Sequence, residues 1–230
     1  MGKGLFIVIE GSDANGKATQ SQLLLERLPK EKQPVLLSFP QYEQPYGKLI
    51  RQYLNDDAPT RDPAYASLLY AADRATQKAF IEDHLEKGGW IIADRFTPST
   101  LAHQLARLHE APEAEREQFT SWVENMEYTI LDIPQPDVVI ILDIDHELSL
   151  HLLAERRQNR TEGYRDIAED DAEHLRIAAE EYQKLADRKG WTLLHCSQNG
   201  QFLPKQQISD MVMQAVENAA RMRYAEETKS

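Results

Sequence analysis

The sequence predicts an α/β domain of three layers, a central parallel sheet flanked by helices. Three observations carry that expectation. Continuous runs of branched apolar residues, of the kind buried on both faces of a parallel sheet, recur at Leu5–Ile9, Trp90–Ala93 and Val138–Asp143. Longer segments with helical spacing separate them, and that alternation builds a parallel sheet through crossovers. The 230 residues, 41% apolar and 28% charged, suffice for one ordinary core and hold no linker long enough to split it, so 1–230 reads as a single domain.

The elements follow in order. After the first strand comes a turn bounded by Gly11 and Gly16, then a helix beginning near Lys17 and running to Leu28. Pro34–Ser38 reads as a second strand ending at Phe39-Pro40, and Gln41–Tyr46 as a loop before a helix over Gly47–Leu54. Asn55–Asp62 is polar and turn-like. Ala64–Glu86 reads as one long helix, with Tyr65, Leu68, Leu69, Ala72, Ala75 and Ala79 at helical spacing and Gly88-Gly89 as the stop. Asp94-Arg95 closes the third strand. Helices are expected over Ser99–Glu110 and Pro112–Asn125. The breaker Pro134-Gln-Pro136-Asp137 precedes the fourth strand. Leu148–Gln158 reads as helix, 156–169 as an Arg-rich interruption, Asp170–Arg188 as helix, Trp191–Cys196 as the last strand and Ile208–Arg223 as the closing helix.

The first turn carries the chemistry. Gly11-Ser-Asp13-Ala-Asn15-Gly16-Lys17, set between a strand and a helix, has the G-x-x-x-x-G-K spacing of a P-loop. Its glycines let backbone N–H groups turn inward on phosphate oxygens, the helix adds its positive end, and Lys17 adds a full charge. The pattern asks next for a hydroxyl that binds Mg²⁺, and this chain has Ala18. Thr19 lies one place on, turned by roughly 100° about the helix axis, so it cannot stand in directly. In parallel sheets ligands lie beyond the C-terminal strand ends, which brings the P-loop, Phe39-Pro40 and Asp94-Arg95 together.

The formal net charge is −12 and no basic stripe is present, so no nucleic-acid partner is expected. No run approaches the roughly 20 apolar residues of a membrane span. The lone Cys196 excludes an internal disulfide, fits a reducing cytoplasmic setting and reads as a core residue.

The chain carries, in order, Glu10-Gly11-x-Asp13 in the loop, Phe39-Pro40, Tyr70-Ala-Ala-Asp-Arg74, Asp94-Arg95-Phe96-x-x-Ser99, Pro134-x-Pro136-Asp137, and an Arg-rich segment before a helix carrying Tyr182. Taken together, these motifs resemble the thymidylate kinase family. The resemblance implies a P-loop NTPase fold and Mg²⁺-dependent transfer of the γ-phosphoryl of ATP to dTMP, by a homodimer. It implies that Gly11, Asn15, Gly16, Lys17, Ala18 and Thr19 bind ATP. It makes Asp13 the carboxylate for the deoxyribose 3′-hydroxyl, Phe39 part of the nucleoside pocket wall and Tyr70 the stacking aromatic. Arg74 and Arg95 become the pair that holds the dTMP phosphate and edge, and Ser99, Thr100 and Gln104 line base and sugar. Asp94 acts near Mg²⁺, directly or through water, and Arg160 or Arg165 of the lid covers the γ-phosphoryl. His103 stands where an aromatic hydroxyl often sits and reads as solvent-facing.

On spacing alone, Tyr70 and Arg74 equally fit an ordinary solvated helix face, and Asp94-Arg95 an internal salt bridge. Two further functions stay open: a kinase for another nucleotide or a nucleoside, and, because of Ala18, a nucleotide-binding regulator without turnover.

Overall fold

The computed structural model describes residues 4–55, 58–158 and 171–227. Strands β1 (Phe6–Glu10), β2 (Val35–Ser38), β3 (Ile91–Asp94), β4 (Val138–Asp143) and β5 (Thr192–His195) form one parallel sheet in the order β2-β3-β1-β4-β5. The register pairs Ile9 and Ser38 with opposite edges of Asp94, which levels the C-terminal ends of β1, β2 and β3. Backbone bonds continue this row past the strands, from Phe39 N–H to Asp94 O and from Arg95 N–H to Ile9 O.

Strand side chains alternate between two cores. Phe6, Val8, Ile91, Ala93, Val139 and Ile141 pack under α4 (Lys78–Glu86), α5 (Thr97–Arg107), α6 (Glu113–Asn125) and α8 (Ala172–Lys189). Ile7, Ile9, Ile92, Ile140 and Leu142 pack under α1 (Lys17–Arg27) and α9 (Lys205–Glu227). Both faces are covered, so the strands read as continuous apolar runs instead of alternating ones. Helices α2 (Pro45–Leu54) and α3 (Pro63–Ala75) carry a smaller cluster of their own, around Ile50, Tyr53 and Leu69. Helix α7 is His146–Gln158. A short antiparallel pair, β6 (Ser197–Gln198) and β7 (Gln201–Phe202), follows β5 and was not foreseen.

Three expectations change. The helix expected over Ala64–Glu86 is two, α3 and α4, divided at Thr76-Gln77. The Thr76 hydroxyl donates to Asp73 O at 2.6 Å and the Gln77 N–H to Arg74 O at 2.9 Å, so the turn tightens and the ladder breaks. The buried face of α3 is also displaced. Leu68 is exposed, while Ala66, Ser67, Leu69, Ala71, Asp73 and Arg74 are buried. Polar members of a buried face do not register in an apolar count. Finally, α6 runs on into a π-helical turn, Met126–Ile130.

Candidate active site

The loop after β1 is built by three residues of positive φ: Gly11, Ala14 and Gly16. A Cβ on Gly11 would collide with the Asn15 carboxamide and the Leu142 carbonyl, so the close approach of this loop to β4 needs glycine. Asn15 shapes the loop from within, since its Nδ2 donates to Leu142 O at 2.6 Å. Gly16 is the N-cap of α1 and supplies no side-chain bond to the first-turn N–H groups. Lys17 folds over the loop, with Nζ donating to Gly11 O (2.9 Å), Ser12 O (2.6 Å) and Asn15 Oδ1 (3.2 Å). Burial, then the neighbouring Arg95 charge, pushes the ammonium down to about 7 against the pull of Asp13, Asp94 and Glu10.

Arg95 follows β3 in the left-handed region, φ 68°. From there its guanidinium reaches the Asp13 carboxylate as a close ion pair and donates to Ser99 Oγ at 3.3 Å. Burial alone would raise the Asp13 carboxyl; Arg95 and Lys17 outweigh it and hold that carboxyl well below the usual range.

Beneath this pair lies a residue that sequence reading quoted in a motif and gave no role. Glu10 is fully buried. It accepts bonds from Phe96 N–H (2.7 Å), Ser99 N–H (3.1 Å), Ser99 Oγ (2.6 Å) and the Tyr182 hydroxyl (3.1 Å). Phe96, the N-cap of α5, has no side-chain cap bond, so Glu10 caps that helix from the neighbouring strand. The same carboxylate ties α8 to the end of β1. Burial raises its pKa, against Arg95 and these donors. An acidic residue one place before the first glycine of a P-loop was the available signal.

A cavity of about 350 Å³ opens over these groups at the C-terminal edge of the sheet. Asp13 and the loop residues Asn15 to Thr19 line one end. Ser99, Thr100, His103, Gln104 and Arg107 line one side from successive turns of α5. Pro40, Tyr42, Tyr53, Leu54 and Tyr70 form an aromatic wall, and Asp94 and Arg95 complete the floor.

A family model described as Thymidylate kinase matches residues 9–206. The chain belongs to the thymidylate kinase family. A thymidylate kinase from Synechococcus sp. (strain CC9605) is 31% identical over 204 residues, 85% of this chain and 91% of that protein. One from Caenorhabditis elegans is 33% identical over 157 residues, 64% of this chain and 66% of that protein. In fold, the chain is similar to a solved thymidylate kinase from Candida albicans, with a TM-score of 0.70 and 24% identity over 94% of this chain and 92% of that one.

Most of the site residues named from this family meet at that cavity; among the described residues Gly11, which lies buried behind the loop, Phe39 and Arg74 do not line it. Phe39 is buried in the core, edge-on to Phe96 at 5.7 Å between ring centres, and Pro40 and Tyr42 face the cavity in its place. Arg74 is neither on a solvated face nor on the cavity wall. Its Nε donates to Glu127 Oε2 at 2.7 Å, its Nη2 to Glu127 Oε1 at 2.5 Å and to Thr100 Oγ1 at 2.9 Å. Glu127 belongs to the π-helical turn after α6, and also accepts from the Thr97 hydroxyl at 2.8 Å. His103 is half-buried on the cavity wall instead of on the outer surface: its Nδ1 lies 3.3 Å from His174 Nε2, and burial pushes its pKa down to about 3. Arg107, His174 and Tyr53 line the cavity and were missed; no motif marks them. Arg160 and Arg165 of the lid lie outside the described residues.

Among the described residues no cluster of three His, Cys, Asp or Glu side chains forms a metal cage. The Asp94 carboxylate lines the cavity and takes part in none of the side-chain hydrogen bonds or ion pairs of the described residues. A lone carboxylate of this kind suits a cation whose other ligands are water and phosphate. No helix among the described residues is long and apolar enough to cross a membrane.

Proposed function

We propose that this cavity holds dTMP against the Asp13–Arg95 pair, with the phosphates of ATP on the loop beside it. The chain is an ATP-dependent thymidylate kinase. The observation that carries the site assignment is that Lys17, Asp13 and Arg95 converge on one cavity at a single edge of the sheet.

The acceptor oxygen already belongs to an anion, so no strong base is needed; positioning and neutralisation of charge do the work. Loop N–H groups from Gly11 to Thr19 and the Lys17 ammonium receive the donor phosphates, Lys17 exchanging its loop carbonyls for phosphate oxygens. Arg95 presents a planar fork to the acceptor phosphate. Asp13 keeps acceptor capacity for the 3′-hydroxyl of the sugar. Tyr70 supplies a ring face to the base, and Ser99, Thr100 and Gln104 its polar edge. Arg74 acts one step back by orienting Thr100. Mg²⁺ would be held by Asp94, directly or through water, and by phosphate oxygens, and when bound would neutralise donor charge without a hydroxyl at position 18. Arg160 or Arg165, outside the described residues, is assigned to the γ-phosphoryl.

We also assign the chain to the cytoplasm, in keeping with its single buried cysteine. A homodimer is supported by exposed apolar side chains on three neighbouring helices: Leu49 on α2, Leu68 on α3 and Phe80 on α4. Light scattering at micromolar concentration tests it.

A coupled ADP-release assay with ATP and Mg²⁺ decides the acceptor, comparing dTMP with dUMP, dCMP, dGMP, AMP and thymidine. Turnover selective for dTMP is expected. Selectivity for another acceptor would overturn the base assignment, and binding of ATP without any turnover would point to a regulator.

A further inference from the structure

The loop after β2 puts Pro40 and Tyr42 on the cavity wall, while Gln41 between them is not a lining residue. Gln41 is held from three helices instead. From α3, Asp73 Oδ2 accepts its backbone N–H at 2.9 Å. From the start of α4, Gln77 Nε2 donates to its side-chain Oε1 at 3.0 Å. Gln77 is the N-cap of α4 and makes no side-chain bond to that helix, so its carboxamide is free to serve the loop. From α2, Gly47 lies against its carbonyl; a Cβ on Gly47 would collide with Gln41 O and press on Tyr42 Cα.

Asp73 is a costly anchor. The residue is 1% exposed, and its other oxygen, Oδ1, has no hydrogen-bond partner among the described residues. The neighbouring Arg74 turns its guanidinium to Glu127 instead. A buried carboxyl with a single hydrogen bond destabilises a fold relative to an apolar side chain, so what it holds is what it contributes. What it holds is the one N–H between two wall residues. Tyr70, three residues earlier on α3, lines the same cavity. One helix thus carries the Tyr70 ring and the anchor for Pro40 and Tyr42, and the spacing of the three is set together.

We propose that Asp73 is a positioning residue that clamps Gln41, and so keeps Pro40 and Tyr42 in place on the cavity wall before the acceptor nucleotide enters. This rests on the acceptor reading above. Asp73 touches no substrate. A wall fixed in advance loses little freedom when the nucleotide binds, whereas a loose one must be ordered at the expense of affinity. The clamp acts on the acceptor side alone, because the loop that receives the donor phosphates is held by other groups, Asn15 and Lys17 among them.

Asp73→Ala releases the Gln41 N–H. The KM and the calorimetric Kd for dTMP are expected to rise about tenfold, the scale of one hydrogen bond to a charged group, with kcat and the KM for ATP little changed. Asp73→Asn keeps an oxygen for that N–H and should restore the dTMP KM. Gly47→Ala presses on the same loop from α2. Alanine is the better helix former, so a loop whose place did not matter would leave dTMP binding as it is; a raised dTMP KM is expected. The proposal is overturned if folded Asp73→Ala binds dTMP like wild type, if it raises the KM for ATP equally, or if asparagine fails to restore it. If Asp73→Ala does not fold, Gly47→Ala and Gln77→Ala decide, and an unchanged dTMP KM in both overturns the clamp. If the wild type rejects dTMP and accepts another nucleotide, the acceptor reading fails by itself. The variants are then scored on that nucleotide: a raised KM keeps Asp73 as the positioning residue, and no rise overturns it.

Discussion

Arg95 and Arg74 each pair with a carboxylate, and their surroundings differ. The Arg95 and Asp13 side chains are 24% and 13% exposed, on the wall of the cavity; those of Arg74 and Glu127 are 2% and 0% exposed, beneath it. Arg95 leaves its strand in the left-handed region and so turns into the cavity, whereas Arg74 continues a helix whose face turns inward. A pair at a cavity edge keeps bonding capacity for a ligand. A pair with no access to solvent has spent it, and holds other side chains in place. Two arginines at the C-terminal edge of one sheet thus divide into one that keeps bonding capacity at the cavity and one that holds other side chains in place.

The largest effect should come from breaking the buried pair. Glu127→Ala leaves the Arg74 charge unpaired in the interior and should cost about 3–5 kcal/mol of stability, measured by urea unfolding. The double change Arg74→Met with Glu127→Leu should recover most of that loss, since replacing a buried pair by apolar groups is often near neutral. If Glu127→Ala melted like wild type, the contrast would collapse.

Next in size, Arg95→Ala should lower kcat/KM for dTMP by about 10²-fold, the scale of losing one charge-stabilising group, with little change in the KM for ATP. An effect confined to ATP would place Arg95 on the donor side.

Lys17 gives a smaller signal and one of definite sign. Its folded-state pKa of about 7 lies below the ordinary lysine value of 10.5. The unfolded chain therefore binds more protons between those values, and this group's contribution to stability is lowest below pH 7 and rises toward pH 10.5. Donor phosphates favour the charged form. ATP binding at pH 8 should then take up approaching about one proton, read as a binding heat that varies with buffer ionisation enthalpy. No proton uptake at pH 8 would mean that Lys17 is already charged there.

The smallest effect is expected at Thr100→Val, which removes the hydroxyl between Arg74 and the cavity. It should lower dTMP affinity less than Arg95→Ala does, by about the severalfold of a single hydrogen bond, and leave the KM for ATP unchanged.

Much of the molecule was legible before folding. Leu5–Ile9 and Val138–Asp143 read as strands of a parallel sheet, because each is a short run of branched apolar residues at both alternating positions. The loop from Gly11 to Lys17 was legible because two of its three positive-φ positions are glycines, at the spacing of a phosphate loop. The Asp94-Arg95 pair was placed correctly at the sheet edge because a strand end is a local property of the chain.

Other features were decided by packing. Whether Arg74 faces ligand or protein depends on a carboxylate 53 residues away, on a π-helical turn that no local pattern announces. Phe39 fell into the core because Phe96 offered it an aromatic neighbour, leaving Pro40 and Tyr42 to face the cavity. Glu10, His103, His174 and Tyr53 acquired their surroundings only when α2, α5 and α8 closed over the sheet edge. The sequence by itself determined which segments become strands, where the phosphate loop lies and which end of the sheet carries chemistry, since these follow from local backbone preference and burial period. Only the tertiary structure decided which polar side chains are consumed by one another and which remain for a ligand. That depends on the distances between groups far apart in the chain, and on how much water is left around each.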